Sequence, residues 1–371
     1  MPGLFVKRHA EILSDSFTIA ALHAIPLNKK SNIYEIEKTE ENQVFNIIIY
    51  YPITKSKIPI ILHLIKLIRF IKAYQMGLKE VHKYFGLPDL IHVNILTRVG
   101  IIAYYLKIRY GVPYVITEHW TRYTNERMAF KGFFRKVFTR LIVKNSSGIS
   151  SVSENLKRAM QNYRIDHRNF LIVHNIVDCN IFRPKDQQSN DIRKIFSHIS
   201  CFDNRAKNTN GIVRAIASLS KRRTDFICLM VGDGPDKQEA EKLANQFGIK
   251  DKTIIFTGLK EGNDLVEIYN QSLFTFLFSN YENMPVVISE SFASGRPVIS
   301  TNVGGIPEIV NKSNGLLISP GNEPELESAI NYMLDHSKQF DSSEIRAFAV
   351  DQFGKEAVVN QLMKLYQTVP Q

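Results

Sequence analysis

The stretch SNYENMPVVISESFASGRPVISTNVGGIPEIV, residues 279–310, carries the most informative pattern in the sequence. An apolar strand ends at Ser279 and runs into a turn, and a helix follows that has Pro285 in its first turn and Gly295 at its end. A second apolar strand and a loop with two adjacent glycines come next. Strand, helix and strand in this order predict a parallel α/β unit.

Two glutamates in this stretch are candidate ligand-binding residues. Glu282 lies in the turn, and Glu290 lies on the helix, on the face that it shares with Val286 and Val287. The unpaired N–H groups at the helix start, around Val286 and Val287, offer a seat for a diphosphate. Glu290 can accept hydrogen bonds from vicinal ribose hydroxyls, and Glu282 can reach the hydroxyls of a transferred sugar. Glutamate pairs at this spacing are common on solvated helix faces, so the pair by itself is not specific.

Apolar strand patterns alternate with helical patterns along nearly the whole chain, which is typical of parallel α/β folds. The strand candidates are residues 17–24, 44–51, 90–94, 113–119, 148–153 and 170–175 in the first half and 194–200, 225–232, 253–258, 273–279, 297–302 and 315–319 in the second. A length of 371 residues favours two domains, and the polar stretch 175–194 is the predicted linker. We therefore predict an α/β protein of two Rossmann-like doubly wound domains, residues 1–180 and 181–345, with a ligand cleft between them. Residues 346–371 are predicted as C-terminal helices that pack back on the first domain.

The composition excludes several classes of protein. Three scattered cysteines give neither a disulfide framework nor a zinc site, and they favour a reducing cytosol. The N-terminal residues lack the apolar core of a signal peptide. The longest apolar stretch, residues 58–74, contains His63, Lys66, Arg69 and Lys72 and is too charged to span a bilayer. These features predict a cytoplasmic protein.

Positive charge is concentrated in the first half of the chain. Residues 1–180 contain 26 Lys and Arg against 13 Asp and Glu, whereas the remainder contains 21 against 23. This surplus indicates an anionic partner, such as nucleic acid, an anionic membrane surface or a phosphorylated substrate, although solubility alone also explains it. No RNP1 string, KH loop or zinc finger occurs, so nucleic acid is not expected. Apolar and basic residues alternate at helical spacing in residues 58–74 and 131–145. This pattern suits helices that lie on an anionic membrane. Helices that pack one face on a sheet explain the same apolar residues.

As a whole, residues 279–310 closely resemble glycosyltransferase family 4, a family of the GT-B fold whose hallmark is E-x7-E in this setting. The match includes the S-x-Y-E start, the P-V-V-I-S-E helix, the G-R-P-V-I-S-T strand and the V-G-G-I-P-E loop. Similar segments recur over nearly the whole chain, namely TEHW at 117–120, HNIVD at 174–178, SHISCFDNRAKN at 197–208, VGDGP at 231–235 and FTG at 256–258. The resemblance implies a GT-B fold and a retaining glycosyltransferase that needs neither a metal nor a cofactor.

The resemblance also implies roles for individual residues. Lys207 would stabilise the departing nucleotide diphosphate, Glu282 would orient the sugar, and His119 would lie near the C6 hydroxyl of the sugar and the acceptor. These three are the implied catalytic residues. The implied donor-binding residues are Gly3, Arg205, Gly232, Gly234, Thr257, Gly258, Val286, Val287 and Glu290. The family usually has an arginine about five residues before the lysine; Arg205 is the nearest substitute here, and an ordinary surface arginine explains it as well.

The N-terminus departs from the family pattern. The segment MPGLFVKRHAEIL resembles the end of the first loop and the helix after it, with Gly3 at the loop glycine, and the strand that should precede this loop is absent. A start placed too far downstream is the favoured explanation. A protein that truly lacks the strand would leave the edges of the neighbouring strands unpaired.

The predicted function is transfer of a hexose or an N-acetylhexosamine from a UDP- or GDP-linked sugar to a lipid-linked or polysaccharide acceptor in surface glycan biosynthesis. The predicted location is the cytoplasm, where the protein could associate peripherally with the inner face of the membrane. Two alternatives stay open: a GT-B homologue that is not catalytic, and a UDP-sugar epimerase of the same fold.

Overall fold

The computed structural model describes residues 4–27, 33–53, 59–124, 127–185 and 193–370. Gly3, a predicted donor-binding residue, lies outside the described residues, and so does part of the predicted linker. In the first half the elements are α1 (Leu4–Leu13), β1 (Ile19–Leu27), β2 (Glu35–Glu41), β3 (Val44–Pro52), α2 (Pro59–Phe85), β4 (Ile91–Asn94), α3 (Leu96–Tyr110), β5 (Tyr114–Glu118), a 3₁₀ turn (Thr121–Tyr123), α4 (Phe133–Lys144), β6 (Gly148–Ser151), α5 (Glu154–Asn162) and β7 (Phe170–Ile172).

The second half begins with β8 (Lys194–Ile199). After it come α6 (Asn204–Lys207), α7 (Thr209–Ser220), β9 (Phe226–Val231), α8 (Lys237–Gln246), β10 (Ile254–Gly258), α9 (Gly262–Gln271), β11 (Thr275–Leu277), α10 (Val286–Ala293), β12 (Val298–Thr301), a 3₁₀ turn (Ile306–Glu308), β13 (Gly315–Ile318), α11 (Glu323–His336), a 3₁₀ turn (Ser337–Gln339), α12 (Ser342–Phe353) and α13 (Lys355–Tyr366).

The second half forms a six-stranded parallel sheet in the order β10-β9-β8-β11-β12-β13. The strand β9, with the sequence FICLMV, is buried along its whole length, as expected for a parallel strand that helices cover on both faces. The strand order runs outward in both directions from the neighbours β8 and β11. The topological switch point of this doubly wound sheet therefore lies between these two strands.

The first half contains two sheets. The strands β4-β5-β6-β7 form a parallel sheet, and β1-β3-β2 form a second sheet in which β1 and β3 are parallel. Within the described residues, β1 pairs only with β3 and β4 pairs only with β5, so no strand joins the two sheets.

The hairpin strand β2 is absent from the predicted elements. It pairs antiparallel with β3, from Glu35 opposite Tyr50 to Glu41 opposite Val44. Its sequence, EIEKTEE, has one apolar residue, and nearly all of its side chains are exposed. A solvated edge strand shows no apolar alternation, so the sequence pattern did not reveal it.

The C-terminal helices connect the two halves of the molecule. α12 packs against α10 of the second half, whereas α13 packs against α1 and β6 of the first. Leu13, Val173 and Leu362 are buried together in this second contact. The boundaries predicted at 180 and 345 remain predictions.

Candidate active site

The loops after β8 and β11 meet at the switch point of the second sheet. The short helix α6 follows β8, is N-capped by Asp203 and ends at Lys207. Glu282 lies in the loop between β11 and α10. The Glu282 carboxylate binds the Lys207 ammonium and also accepts a hydrogen bond of 2.7 Å from the Ser279 hydroxyl. The structure thus brings two of the predicted catalytic residues into direct contact.

This ion pair is largely removed from solvent, since the Lys207 and Glu282 side chains are 16% and 11% exposed. Burial acts to lower the pKa of Lys207, but the charge and hydrogen bond of Glu282 outweigh it, so the pKa is raised. Lys207 is therefore a fixed cation at neutral pH. A cation beside the ligand edge of the sheet can offset negative charge on a departing phosphate.

The loop glycines explain how the backbone packs around the pair. Gly304 has φ +58°, and a Cβ there would lie 2.2 Å from the carbonyl oxygen of Glu282. Gly305 donates its N–H to the carbonyl oxygen of Asn283, at 2.8 Å. The V-G-G loop therefore fixes the backbone that carries Glu282, and a side chain at Gly304 would displace it.

The helix α10 begins at Val286, with Pro285 as its N-cap. Val286 and Val287 are half-buried in its first turn, where backbone N–H groups have no partners within the helix. Glu290, one turn further, is buried and accepts hydrogen bonds from the Tyr269 hydroxyl at 3.0 Å and the Arg8 guanidinium at 3.3 Å. Burial raises the pKa of Glu290, and the charge of Arg8 opposes that rise.

The predicted donor-binding glycines lie on neighbouring loops of the same sheet edge. The N–H of Gly232, after β9, donates to the carbonyl oxygen of Gly258, at the end of β10, at 2.9 Å. Gly232 has φ +133°, and a Cβ there would lie 1.9 Å from the carbonyl oxygen of Ser200. A Cβ at Gly234 would lie 2.5 Å from the backbone nitrogen of Phe202. Thr257, beside Gly258, is half-buried at this edge.

His119 reaches the site from the first half of the chain. It follows β5, and its Nε2 lies 3.3 Å from Asn94 Oδ1. Its carbonyl oxygen accepts a hydrogen bond of 2.9 Å from the side chain of Asn283, the neighbour of Glu282. Burial, followed by the charges of His9 and His92, lowers the pKa of His119 well below its ordinary value. The imidazole is therefore neutral at neutral pH and suited to hydrogen bonding rather than to carrying charge.

Arg205 does not join this group of contacts. It lies on α6, its side chain is exposed, and its carbonyl oxygen accepts from Asn280 at 3.0 Å. Its exposure leaves both explanations open, the phosphate-binding arginine and the surface arginine.

Several site residues were not predicted from the sequence. Arg8 and Tyr269 hold the Glu290 carboxylate, and Asn283 links the two halves by binding His119 and the Ser153 hydroxyl, the latter at 2.8 Å. Asn283 lies within the hallmark stretch, so its position beside Glu282 was the available signal. No local pattern marks Arg8 or Tyr269, because their contacts with Glu290 depend on tertiary folding.

Solved structures share this architecture. The chain aligns over 99% of its length with 93% of a sucrose-phosphate synthase from Thermosynechococcus elongatus, with a TM-score of 0.77 and 19% identity. It also aligns over its full length with 97% of Anabaena HepE in complex with UDP and glucose, with a TM-score of 0.73 and 15% identity. Likeness at this level of identity shows the fold, and it confirms the predicted α/β architecture of the GT-B type.

Two family models match consecutive parts of the chain, Glycosyltransferase Family 4 over residues 35–181 and Glycosyl transferases group 1 over residues 182–348. These matches place the chain among the glycosyltransferases of the GT-B fold. The N-acetyl-alpha-D-glucosaminyl L-malate synthase of Bacillus anthracis is a relative, 26% identical over 293 residues, which is 76% of this chain and 75% of that enzyme.

Two further observations bear on partners. None of the described helices combines the length and the apolar character needed to cross a bilayer. In the described part of the chain, no three His, Cys, Asp or Glu side chains are grouped so that they could hold a metal ion.

Proposed function

We propose that this glycosyltransferase retains the anomeric configuration of its donor and moves a hexose or an N-acetylhexosamine from a UDP- or GDP-linked sugar. The acceptor is a lipid-linked saccharide or a polysaccharide in surface glycan biosynthesis, and the reaction takes place at the cytoplasmic face of the membrane. The observation that carries the proposal is the contact between Lys207 and Glu282 at the switch point, next to the start of α10.

The donor is proposed to bind across the start of α10. Its diphosphate would lie against the N–H groups of Val286 and Val287, where the helix dipole is positive. Its ribose hydroxyls would bind Glu290, which must then exchange hydrogen bonds now made with Arg8 and Tyr269. The glycine loops at Gly232 and Gly258 allow close approach of the backbone to the nucleotide.

The reaction is proposed to proceed on one face of the sugar. As the bond between the anomeric carbon and the donor phosphate oxygen breaks, the acceptor oxygen bonds to that carbon. The Lys207 ammonium stabilises charge on the leaving phosphate, and that phosphate accepts the proton of the acceptor hydroxyl. Glu282 orients the sugar hydroxyls, and neutral His119 donates or accepts a hydrogen bond at the C6 hydroxyl. This scheme uses side chains of the described residues and no bound metal.

The central test is a screen of nucleotide sugars for release of UDP or GDP, with and without acceptors. The acceptor panel includes polyprenyl-diphosphate saccharides and L-malate. L-Malate is included because it appears in the name of the Bacillus anthracis relative. We expect Lys207→Ala and Glu282→Ala to abolish turnover without unfolding. Lys250→Ala, in an ion pair with Glu241 that is about one-third exposed, is the matched control and should stay active. Normal turnover of both site variants would refute the proposed mechanism.

Four more measurements separate the finer claims. The anomeric configuration of the product, read by NMR, tests retention, and activity after treatment with EDTA tests independence from metal. An epimerised sugar nucleotide formed without acceptor would favour the epimerase alternative. Failure to bind either UDP or GDP in calorimetry would favour the homologue that is not catalytic.

A further inference from the structure

The helix α4 (Phe133–Lys144) exposes an apolar face to solvent. Its buried side, which packs on the first domain, consists of Thr139, Ile142 and Val143. On the opposite side five apolar residues are exposed: Phe133, Phe134, Val137, Phe138 and Leu141. Phe133 and Phe134 are 74% and 75% exposed. Packing on the sheet, the simpler explanation of this segment, therefore accounts for only one side of the helix.

The surroundings of this face are strongly basic. Residues 127–153 contain six Lys and Arg and no Asp or Glu. An open groove of about 190 Å³ runs between α3 and α4 and is lined by Arg98, Ile101, Phe134, Arg135, Phe138 and Thr139. The groove thus places two guanidinium groups next to two exposed phenylalanines. Arg98 and Arg135 are also close enough to Arg122 for their positive charges to help lower the pKa of Arg122, although burial is the main cause.

We propose that the exposed side of α4, with Phe133, Phe134 and Phe138 at its centre, docks on the surface of an anionic phospholipid bilayer. The apolar side chains enter the headgroup boundary, and the flanking cations bind lipid phosphates, with Arg98 and Arg135 holding one phosphate in the groove. An apolar face with cations around it is the chemistry that such a surface requires. A second copy of this chain fits poorly, because a symmetric contact would bring two clusters of positive charge together.

This inference rests on the proposed function in its choice of acceptor, because docking through α4 would bring the protein to the membrane that holds a lipid-linked acceptor. The 3₁₀ turn Thr121–Tyr123 lies between α4 and His119 in the chain, and Trp120, beside His119, is half-exposed with Arg122 stacked on its ring. α4 belongs to the same half of the chain as His119, whereas the proposed donor-binding residues Gly232, Val286 and Glu290 belong to the other half.

The test is co-sedimentation of the full chain with phosphatidylcholine vesicles, with and without one third phosphatidylglycerol, at low and high salt. Wild type should bind the anionic vesicles and release them as salt rises. The variant Phe133→Ser/Phe134→Ser/Phe138→Ser should bind at least about tenfold more weakly, because most of the inserted apolar surface is gone. The control variant Phe247→Ser/Leu259→Ser, at positions 46% and 66% exposed in the second half, should bind as wild type does.

A second variant tests the charges. Arg98→Gln/Arg135→Gln should lose most of the preference for anionic vesicles while it keeps the apolar face. Equal binding of wild type to both kinds of vesicle, or unchanged binding of the triple serine variant, would overturn the inference. A dimer in sedimentation velocity that the triple serine variant abolishes would also overturn it and assign the face to a second copy.

Release of UDP or GDP from the donor, measured without vesicles, keeps this inference distinct from the proposed function. The triple serine variant should retain this donor hydrolysis. Vesicle binding without any turnover in wild type would refute the proposed function alone, and turnover without vesicle binding would refute the α4 inference alone.

Discussion

Replacement of Lys207 by Met should separate the structural role of the ion pair from its role in the reaction. Lys207→Met keeps the alkyl chain and removes the ammonium. The Glu282 carboxylate, 11% exposed, would then keep one described partner, the Ser279 hydroxyl at 2.7 Å. Breaking a fully buried pair costs about 3–5 kcal/mol. Because some exposure and one hydrogen bond remain, we expect a loss of about 2–3 kcal/mol in the free energy of unfolding.

This loss should lower the Tm by about 5–10 °C, given the scaling for a domain of this size. The kcat should fall by about 10²–10³-fold, the usual effect of removing a group that stabilises negative charge in the transition state. The double variant Lys207→Met/Glu282→Gln has no unpaired charge and should recover most of the stability. It should not recover activity, because neither the cation nor the orienting carboxylate is restored.

The assay combines differential scanning calorimetry with nucleotide release from the best donor. Lys250→Met, whose partner Glu241 lies 2.9 Å away in a pair about one-third exposed, is the control and should keep nearly all of its stability and full activity. A double variant that regains both stability and turnover would show that the pair is only structural. Equal stability of the single and double variants would refute the argument from the unpaired carboxylate.

Three further predictions follow from the structure. Gly232→Ala should lower the free energy of unfolding by more than about 2 kcal/mol in denaturant titrations, because its Cβ would meet a backbone oxygen at 1.9 Å. The control is Gly248→Ala, at a position with φ +68° and open space around it, and it should lose only about 1 kcal/mol. Tyr269→Phe removes one of the hydrogen bonds that ribose hydroxyls must displace from Glu290 and should tighten the binding of UDP or GDP up to about tenfold in calorimetry, whereas an unchanged or weaker affinity would exclude this competition. The hydrogen bond from Arg223 lowers the pKa of Asp225 from 3.8 to about 2. The stability that ionised Asp225 contributes is therefore present above pH 4 and is lost as the pH falls towards 2. Arg223→Ala should reduce this loss of stability in acid, and identical pH profiles of stability for the variant and wild type would contradict the prediction.

The parallel core was predictable because buried strands carry their own signal. β9 reads FICLMV and is buried at every residue, so a continuous apolar run sufficed to locate it. The edge strand β2 could not be found in this way, because nearly all of its residues face solvent and show no apolar pattern. Edge strands are specified by a neighbour, here β3, rather than by their own composition.

The helical pattern of α4 predicted a helix but not its orientation. Apolar residues occur on two sides of the helix, and the sequence cannot tell which side packs on the protein. In the structure the side with Thr139, Ile142 and Val143 is buried, and the side with the three phenylalanines is exposed. Packing on the protein therefore explains one side of this helix, and docking of the other side on a membrane stays a prediction.

The contacts of the two hallmark glutamates show what spacing leaves undetermined. The spacing places Glu282 in a loop and Glu290 on a helix, and the structure adds a different cation for each, Lys207 from the second half and Arg8 from the first. Arg8 lies 282 residues from Glu290 in sequence, so no local pattern could pair them. Because Arg8 belongs to α1 and Glu290 to α10, their ion pair also ties the two halves together across the site. Ribose hydroxyls that bind Glu290 in the proposed way would compete with this ion pair, and donor binding would then be coupled to the relative position of the two halves through one carboxylate.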